Sequence, residues 1–167
     1  MTVATEARIR LGSVAGTNVA TGVAVLDHLL TELASAGGFS LRLELAPDVP
    51  EAEVGQAGAA LGAALTTLLR GSGSSRYGFG IAPADEALAM VVIEASGHPL
   101  VVSNADLSST RAGGLQSDLA ATFLDELATA AGLTVHVRLI EGENSQHVLS
   151  AIFKALGLAL SRACASD

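Results

Sequence analysis

The chain has 167 residues, the length of one ordinary domain, and half of them are hydrophobic, enough for a packed core and too many for a disordered chain. Seventeen acidic against nine basic residues leave a net charge of −8, and aromatic residues are few (four Phe, one Tyr, no Trp), so neither the field nor the stacking surface suits a nucleic acid. The single cysteine, Cys164, can make no internal disulfide or cysteine metal cage. Residues 1–6 lack a secretory pattern, and no uninterrupted apolar run is long enough to span a bilayer. We therefore expect a cytoplasmic protein with neither nucleic acid nor membrane as a partner.

In chain order, Arg8-Ile9-Arg10-Leu11 alternates as a strand, and residues 12–21 read as a turn followed by a second short strand. Residues 22–27 lead into a helix with Leu26, Leu29, Leu30 and Leu33 at helical spacing, stopped by Gly37-Gly38. Residues 39–45 alternate as a half-buried strand, Pro47 and Pro50 mark a loop, and residues 51–70 form an alanine-rich helix. Residues 71–75 (Gly-Ser-Gly-Ser-Ser) read as a flexible linker. Strands follow at 87–93 and 100–102 around a Ser96-Gly97-His98-Pro99 turn. A helix from about 115 to 130, a strand over 133–140 and a closing helix over 146–162 complete the chain.

The later elements repeat the earlier ones in residues as well as in order. Residues 30–45 lie over 124–139, and one further residue of offset lays 60–65 over 155–160. Chance likeness between alanine-rich helices does not make helix, glycine stop, strand, loop and helix all coincide. This predicts an α+β fold: a single domain of two similar strand-strand-helix-strand-helix halves, about 5–70 and 76–162. Each half is too small to bury its sheet face and helices alone, so the two pack together.

Five segments carry a resemblance. They are Thr21-Gly22-Val23-Ala24-Val25-Leu26-Asp27-His28, Arg76-Tyr77-Gly78, Pro83-Ala84-Asp85-Glu86-Ala87-Leu88, Ser96-Gly97-His98-Pro99, and the stretch 133–156 with its Val135-His136-Val137 and Phe153-Lys154-Ala155. Taken in order over residues 5–162, they resemble imidazoleglycerol-phosphate dehydratase, the histidine-biosynthesis lyase. The resemblance implies two four-stranded sheets, each covered by two helices. It also implies two Mn²⁺ ions held between subunits by a His-His-x-x-Glu helix motif and a lone histidine from each half. Histidines adjacent on a helix point to different sides while positions i and i+4 share a face, so one helix can serve two metals, and imidazole with carboxylate suits Mn²⁺.

The chain departs from that pattern. In the first half the motif falls on Glu51, Ala52 and Gly55; in the second it falls on Gln146, His147 and Ser150. His28, His136 and His147 are the metal-ligand positions that remain, vestigial on this reading. His28 and His136 are equally readable as core or interface histidines satisfied by backbone, and His147 as an exposed or interface residue. Arg76 and Lys154 match substrate or phosphate contacts, while His98 and Glu32 replace a family arginine and glutamine, and the family's C-terminal Ser-Lys-Gly segment has no match before Asp167. Glu6 and Glu86 match catalytic carboxylates; a solvated edge charge and a residue flanking a helix–strand junction are their plainer readings. Lys154, the sole lysine, also reads as a snorkelling surface residue.

From this we expect a dehydratase-like protein that has lost the dimanganese and phosphate sites, with no cofactor unless Mn²⁺ is rescued, acting as a non-catalytic or regulatory subunit. It would be a homo-oligomer, a trimer rather than the family cage, with an intact paralogue as a further partner. The alternatives are an active hydro-lyase with substitute ligands such as Glu51 or Glu53, and an enzyme of metal-independent chemistry that reuses His28, His136 and Glu86 as acid and base.

Overall fold

In the computed structural model, residues 5–12, 16–71, 73–105, 107 and 119–165 are described. The first half runs β1 (Glu6–Leu11), β2 (Asn18–Ala20), α1 (Ala24–Gly37), β3 (Phe39–Glu44) and α2 (Pro50–Leu69). The second runs β4 (Tyr77–Ala84), β5 (Ala87–Glu94), β6 (Leu100–Ser103), α3 (Leu119–Ala131), β7 (Thr134–Glu141) and α4 (Ser145–Cys164). The start expected for α3, 115–118, lies outside the described residues.

Two mixed sheets result, ordered β1-β3-β2 and β4-β5-β7-β6. In each, the strand after the first long helix pairs antiparallel with one neighbour and parallel with the other. The expectation of two four-stranded sheets holds for the second alone; among the described residues the first has three strands. The difference is β4, which pairs along the outer side of β5 and whose counterpart would have to precede β1.

Sequence periodicity also missed β4 itself, because its alternation is inverted. Its inward positions are Gly78, Gly80, Ala82 and Ala84, while Tyr77, Phe79 and Ile81 face outward and stand about half exposed. The glycines are there because α4 lies directly on the strand. A Cβ on Gly78 would stand 2.0 Å from the Ala159 carbonyl oxygen, and one on Gly80 2.3 Å from that of Ala155.

The helices meet between the sheets, α1 packing on α4 and α2 on α3, so each half supplies one partner to every helix pair. The first sheet packs against α1 and α2 and the second against α3 and α4. Leu26, Leu30 and Leu33 of α1, Phe123 of α3 and Phe153 of α4 are fully buried in this centre, where the two rings lie 5.1 Å apart. Among the described helices α4 alone is long and apolar enough to cross a membrane, but 67% of that stretch is buried inside the molecule, as in a core helix.

Of the linker expected at 71–75, residue 72 lies outside the described residues, and residues 74 and 75 are tied down. Ser74 Oγ donates to the Leu69 carbonyl at 2.8 Å, and the Ser75 and Arg76 amides donate to the carbonyls of Ala165 and Ala163 at 3.0 and 2.8 Å. Small polar residues here serve hydrogen bonding rather than flexibility.

Candidate functional site

The β4–β5 hairpin closes through Asp85 and Glu86, with Ala84 paired to Ala87 and Asp85 at φ +51. Opposite this turn α4 begins. Asn144 caps it, its side-chain oxygen accepting from the amides of Gln146 (2.9 Å) and His147 (3.2 Å). This fixes His147 in the first turn of the helix, against the hairpin. Its Nδ1 hydrogen-bonds the Glu86 carboxylate, and its Nε2 lies 3.3 Å from Asp85 Oδ2. The Glu143 amide also reaches Glu86, at 3.5 Å.

This contact sets the protonation of both partners. The hydrogen bond from His147 is the main cause that holds the Glu86 carboxyl below its ordinary value. The same bond, with the negative charges of Glu86 and Asp85, raises the imidazole above its own.

Behind the turn opens a cleft of about 840 Å³, lined by His28, Glu32, Asp85, Gln146, His147 and Lys154 over an apolar floor that includes Val25 and Leu29. His28 is held in the first turns of α1. Asp27 anchors that end of the helix, its carboxylate accepting from the Thr21 amide (2.8 Å) and hydroxyl (2.5 Å). His28 Nε2 stands 3.4 Å from Glu32 Oε1, one turn on, while Glu32 Oε2 is buried with no hydrogen-bond partner. Lys154 Nζ donates to the Pro83 carbonyl at 3.3 Å, two turns along α4 from His147.

The sequence-derived site residues thus separate within one chain. His28, Glu86, His147 and Lys154 come together. Glu6 does not join them; it is exposed on the outer face of the first sheet, 2.7 Å from Arg8 Nε. Arg76 directly precedes β4 at φ +60, its amide bonded to Ala163 near the end of α4. Along α4 that is nine residues, about 14 Å, from Lys154 and about 24 Å from His147, and Arg76 does not line the cleft that holds them. His136 lies on the outer face of β7 beside Tyr77, Met90, Val92 and Arg138.

Neither His28 nor His136 is a core histidine, because both side chains are exposed. Asp85 and Glu86 form a hairpin turn and not a helix–strand junction. The contact of Asp85 with His147 and the buried oxygen of Glu32 were not anticipated. Asp85 and Glu86 stand about 60 residues from His147, and no local signal links them. Cys164, buried and pushed up to about 11 by desolvation, offers no thiolate.

Fold and cleft together define a class: a protein of two α+β halves that meet helix to helix, with a histidine–carboxylate cluster where the second half's hairpin faces its last helix. The family model of imidazoleglycerol-phosphate dehydratase matches residues 21–160. The chain is 41% identical to that enzyme from Candida glabrata over 151 residues (87% of this chain, 71% of the relative), and 36% identical to that from Methanocella arvoryzae over 163 residues (95% and 84%). The crystal structure of imidazoleglycerol-phosphate dehydratase from Staphylococcus aureus superposes with a TM-score of 0.85 at 33% identity, covering 95% of this chain and 92% of the other. That of the Pyrococcus furiosus protein, in complex with (S)-C348, gives 0.84 at 29% identity, covering 100% and 93%. The chain belongs to the imidazoleglycerol-phosphate dehydratase family.

Proposed function

We propose that this chain is a family member that no longer carries out metal-dependent dehydration and acts as a non-catalytic or regulatory subunit of a cytoplasmic oligomer. The observation that carries this reading is the state of His147, the one histidine left in the two helix motifs. Both of its ring nitrogens face carboxylates of its own chain, Glu86 at Nδ1 and Asp85 at Nε2. A metal takes one ring nitrogen, so it would have to displace or share the carboxylate already there, Asp85 at Nε2 or Glu86 at Nδ1. Around it Gln146 and Ser150 replace the imidazole and carboxylate of the motif, as Glu51, Ala52 and Gly55 do in the first half. No group of three or more His, Cys, Asp or Glu suited to a metal ion stands among the described residues. Glu53, a candidate substitute, is only 6% exposed, and its carboxylate is packed on Gly22, where a Cβ would meet it at 2.0 Å. The donors present do not fit a dimanganese centre, whose affinity depends on a full set of anionic and imidazole ligands with their supporting hydrogen bonds. Without metals to bridge subunits, the assembly is a trimer rather than a larger cage, and an intact paralogue is the natural partner for the retained fold.

A dehydratase assay with imidazoleglycerol phosphate, with Mn²⁺ and with EDTA, tests this. No turnover in either condition beside an active control enzyme is expected, together with a trimer mass by light scattering. Mn²⁺-dependent release of imidazole acetol-phosphate would overturn the proposal, as would a metal-free particle of the family's full cage size.

A second reading has its own observation. The Glu86–His147 hydrogen bond at a cleft that also holds Lys154 is an acid–base pair beside a cation. If it served metal-independent chemistry, turnover of a phosphorylated substrate would persist in EDTA and vanish in Glu86→Gln.

A further inference from the structure

A second polar cluster lies on the outer face of the first sheet, away from the cleft. Antiparallel pairing sets Glu6 opposite Glu44, Arg8 opposite Arg42 and Arg10 opposite Ser40; on the other side of β3, Asn18 stands beside Arg42 and Ala20 beside Glu44. Alternate residues of a strand share a face, and the intervening Ile9, Leu41 and Leu43 are the buried ones. The outer face therefore reads in rows: carboxylates, then two guanidiniums, then Arg10. Three of the nine basic residues of an acidic chain stand on one small sheet.

Like charges directly opposite on neighbouring strands, with Cβ atoms about 5 Å apart, disfavour the pairing. Arg8 is relieved by Glu6, 2.7 Å from its Nε. Arg10 and Arg42 have no ion-pair partner among the described residues. All three arginines, with Ser40 and Gly16, line a hollow of about 270 Å³. Arg8 and Arg42 also border the adjoining hollow that Glu6 and Glu44 line, so Arg10 marks the cationic end of the face; planar guanidinium forks lining an open hollow match phosphate oxygens.

We propose that this hollow binds a compact polyphosphate, a di- or triphosphate, through Arg10 and Arg42 with Arg8 between them. Size follows from spacing. Opposed arginines start about 5 Å apart and those two apart on a strand about 7 Å apart, a span over which two or three linked phosphates can meet all three side chains. The overall negative field works against an extended polyanion and leaves a small one able to use the local charge.

Calorimetric titration of the full chain at low salt, with pyrophosphate, ADP, orthophosphate and sulfate, tests this. Pyrophosphate should bind at least about tenfold more tightly than orthophosphate or sulfate, and more weakly as salt rises. The Arg10→Ala/Arg42→Ala variant should lose about tenfold or more; Arg42→Lys, which keeps the charge and the fold but not the fork, should lose less. Lys154→Ala should bind as the parent does, and Glu6→Gln, which frees Arg8, should bind more tightly. ADP equal to pyrophosphate identifies the phosphates alone as the ligand; ADP clearly tighter identifies a nucleoside diphosphate; either supports the site. Unchanged binding in the double-arginine variant, loss in Lys154→Ala instead, or equal weak binding of all anions (an adventitious ion only) would overturn it. So would absent binding with a reduced particle mass in Arg42→Lys, which would make the face an interface between copies.

Discussion

A Cβ placed on Gly62 of α2 would stand 2.8 Å from the Leu127 carbonyl oxygen of α3, and one on Gly157 of α4 2.2 Å from that of Leu33 of α1. In the internal repeat Leu33 corresponds to Leu127 and Gly62 to Gly157, so one close helix contact is used twice with the halves exchanged. Gly38 and Gly132, both at φ +68, likewise end α1 and α3. The starts of α2 and α4 do not correspond in this way. Val49 precedes α2 without a side-chain cap, and Glu51 and Glu53 follow; Asn144 caps α4 and His147 follows. Where two backbones touch, geometry leaves one residue in both halves. At the cleft nothing so strict applies, and of these two helix starts only that of α4 keeps a histidine.

If the shared helix contacts bind the halves into one unit, neither half stands alone. Phe39 and Phe153 are fully buried, one in each half, and truncation of either to alanine should cost about 3–5 kcal/mol. Because every helix pair joins one half to the other, both variants should unfold in denaturant as one transition that moves as a whole. Two separate transitions would show the halves to be independent. Next in size, Gly157→Ala and Gly62→Ala should each destabilise by about 1–3 kcal/mol through overpacking, Gly157→Ala the more. Helix propensity alone would give the opposite sign, a gain of about 1 kcal/mol. Smaller still is the capping difference: Asn144→Ala should cost about 1 kcal/mol, whereas Val49→Asp should gain about 0.5 kcal/mol by giving α2 the cap it lacks. A loss at the α4 start and a smaller gain at the α2 start, read by thermal unfolding, would confirm that their asymmetry is local.

These contacts also explain what could be read without coordinates. Leu26, Leu29, Leu30 and Leu33 announce α1, and the alternation of residues 39–45 announces β3, because each packs large side chains inward. β4 is hidden because α4 fills its inner side with backbone, leaving glycine and alanine where a periodic pattern needs bulk. The cleft was half readable. The resemblance singled out His28, Glu86, His147 and Lys154, but no spacing rule joins a hairpin turn to a helix start some 60 residues later. The arginine row is invisible for the same reason: Arg8 and Arg42 meet only through strand register.

The smallest expected effect is the most specific to the cleft. His147 is raised by its bond to Glu86, so its part of the contact is complete below the ordinary imidazole value and is lost as pH rises through the raised one. Glu86 is lowered, so its part is complete above the ordinary carboxyl value and is lost as pH falls through the lowered one. The pair is thus strongest in the mildly acidic window between the ordinary carboxyl and imidazole values. Both side chains are open to solvent, so the consequence lies in protonation rather than in global stability. Following the His147 ring by NMR, Glu86→Gln should return its midpoint most of the way to that of an ordinary histidine, and Asp85→Asn should shift it less, since Glu86 is the main cause. Equal shifts would mean that the ring answers to the turn's summed charge; no shift in either variant would mean that the second half's cluster is no more organised in solution than the first half's bare helix start.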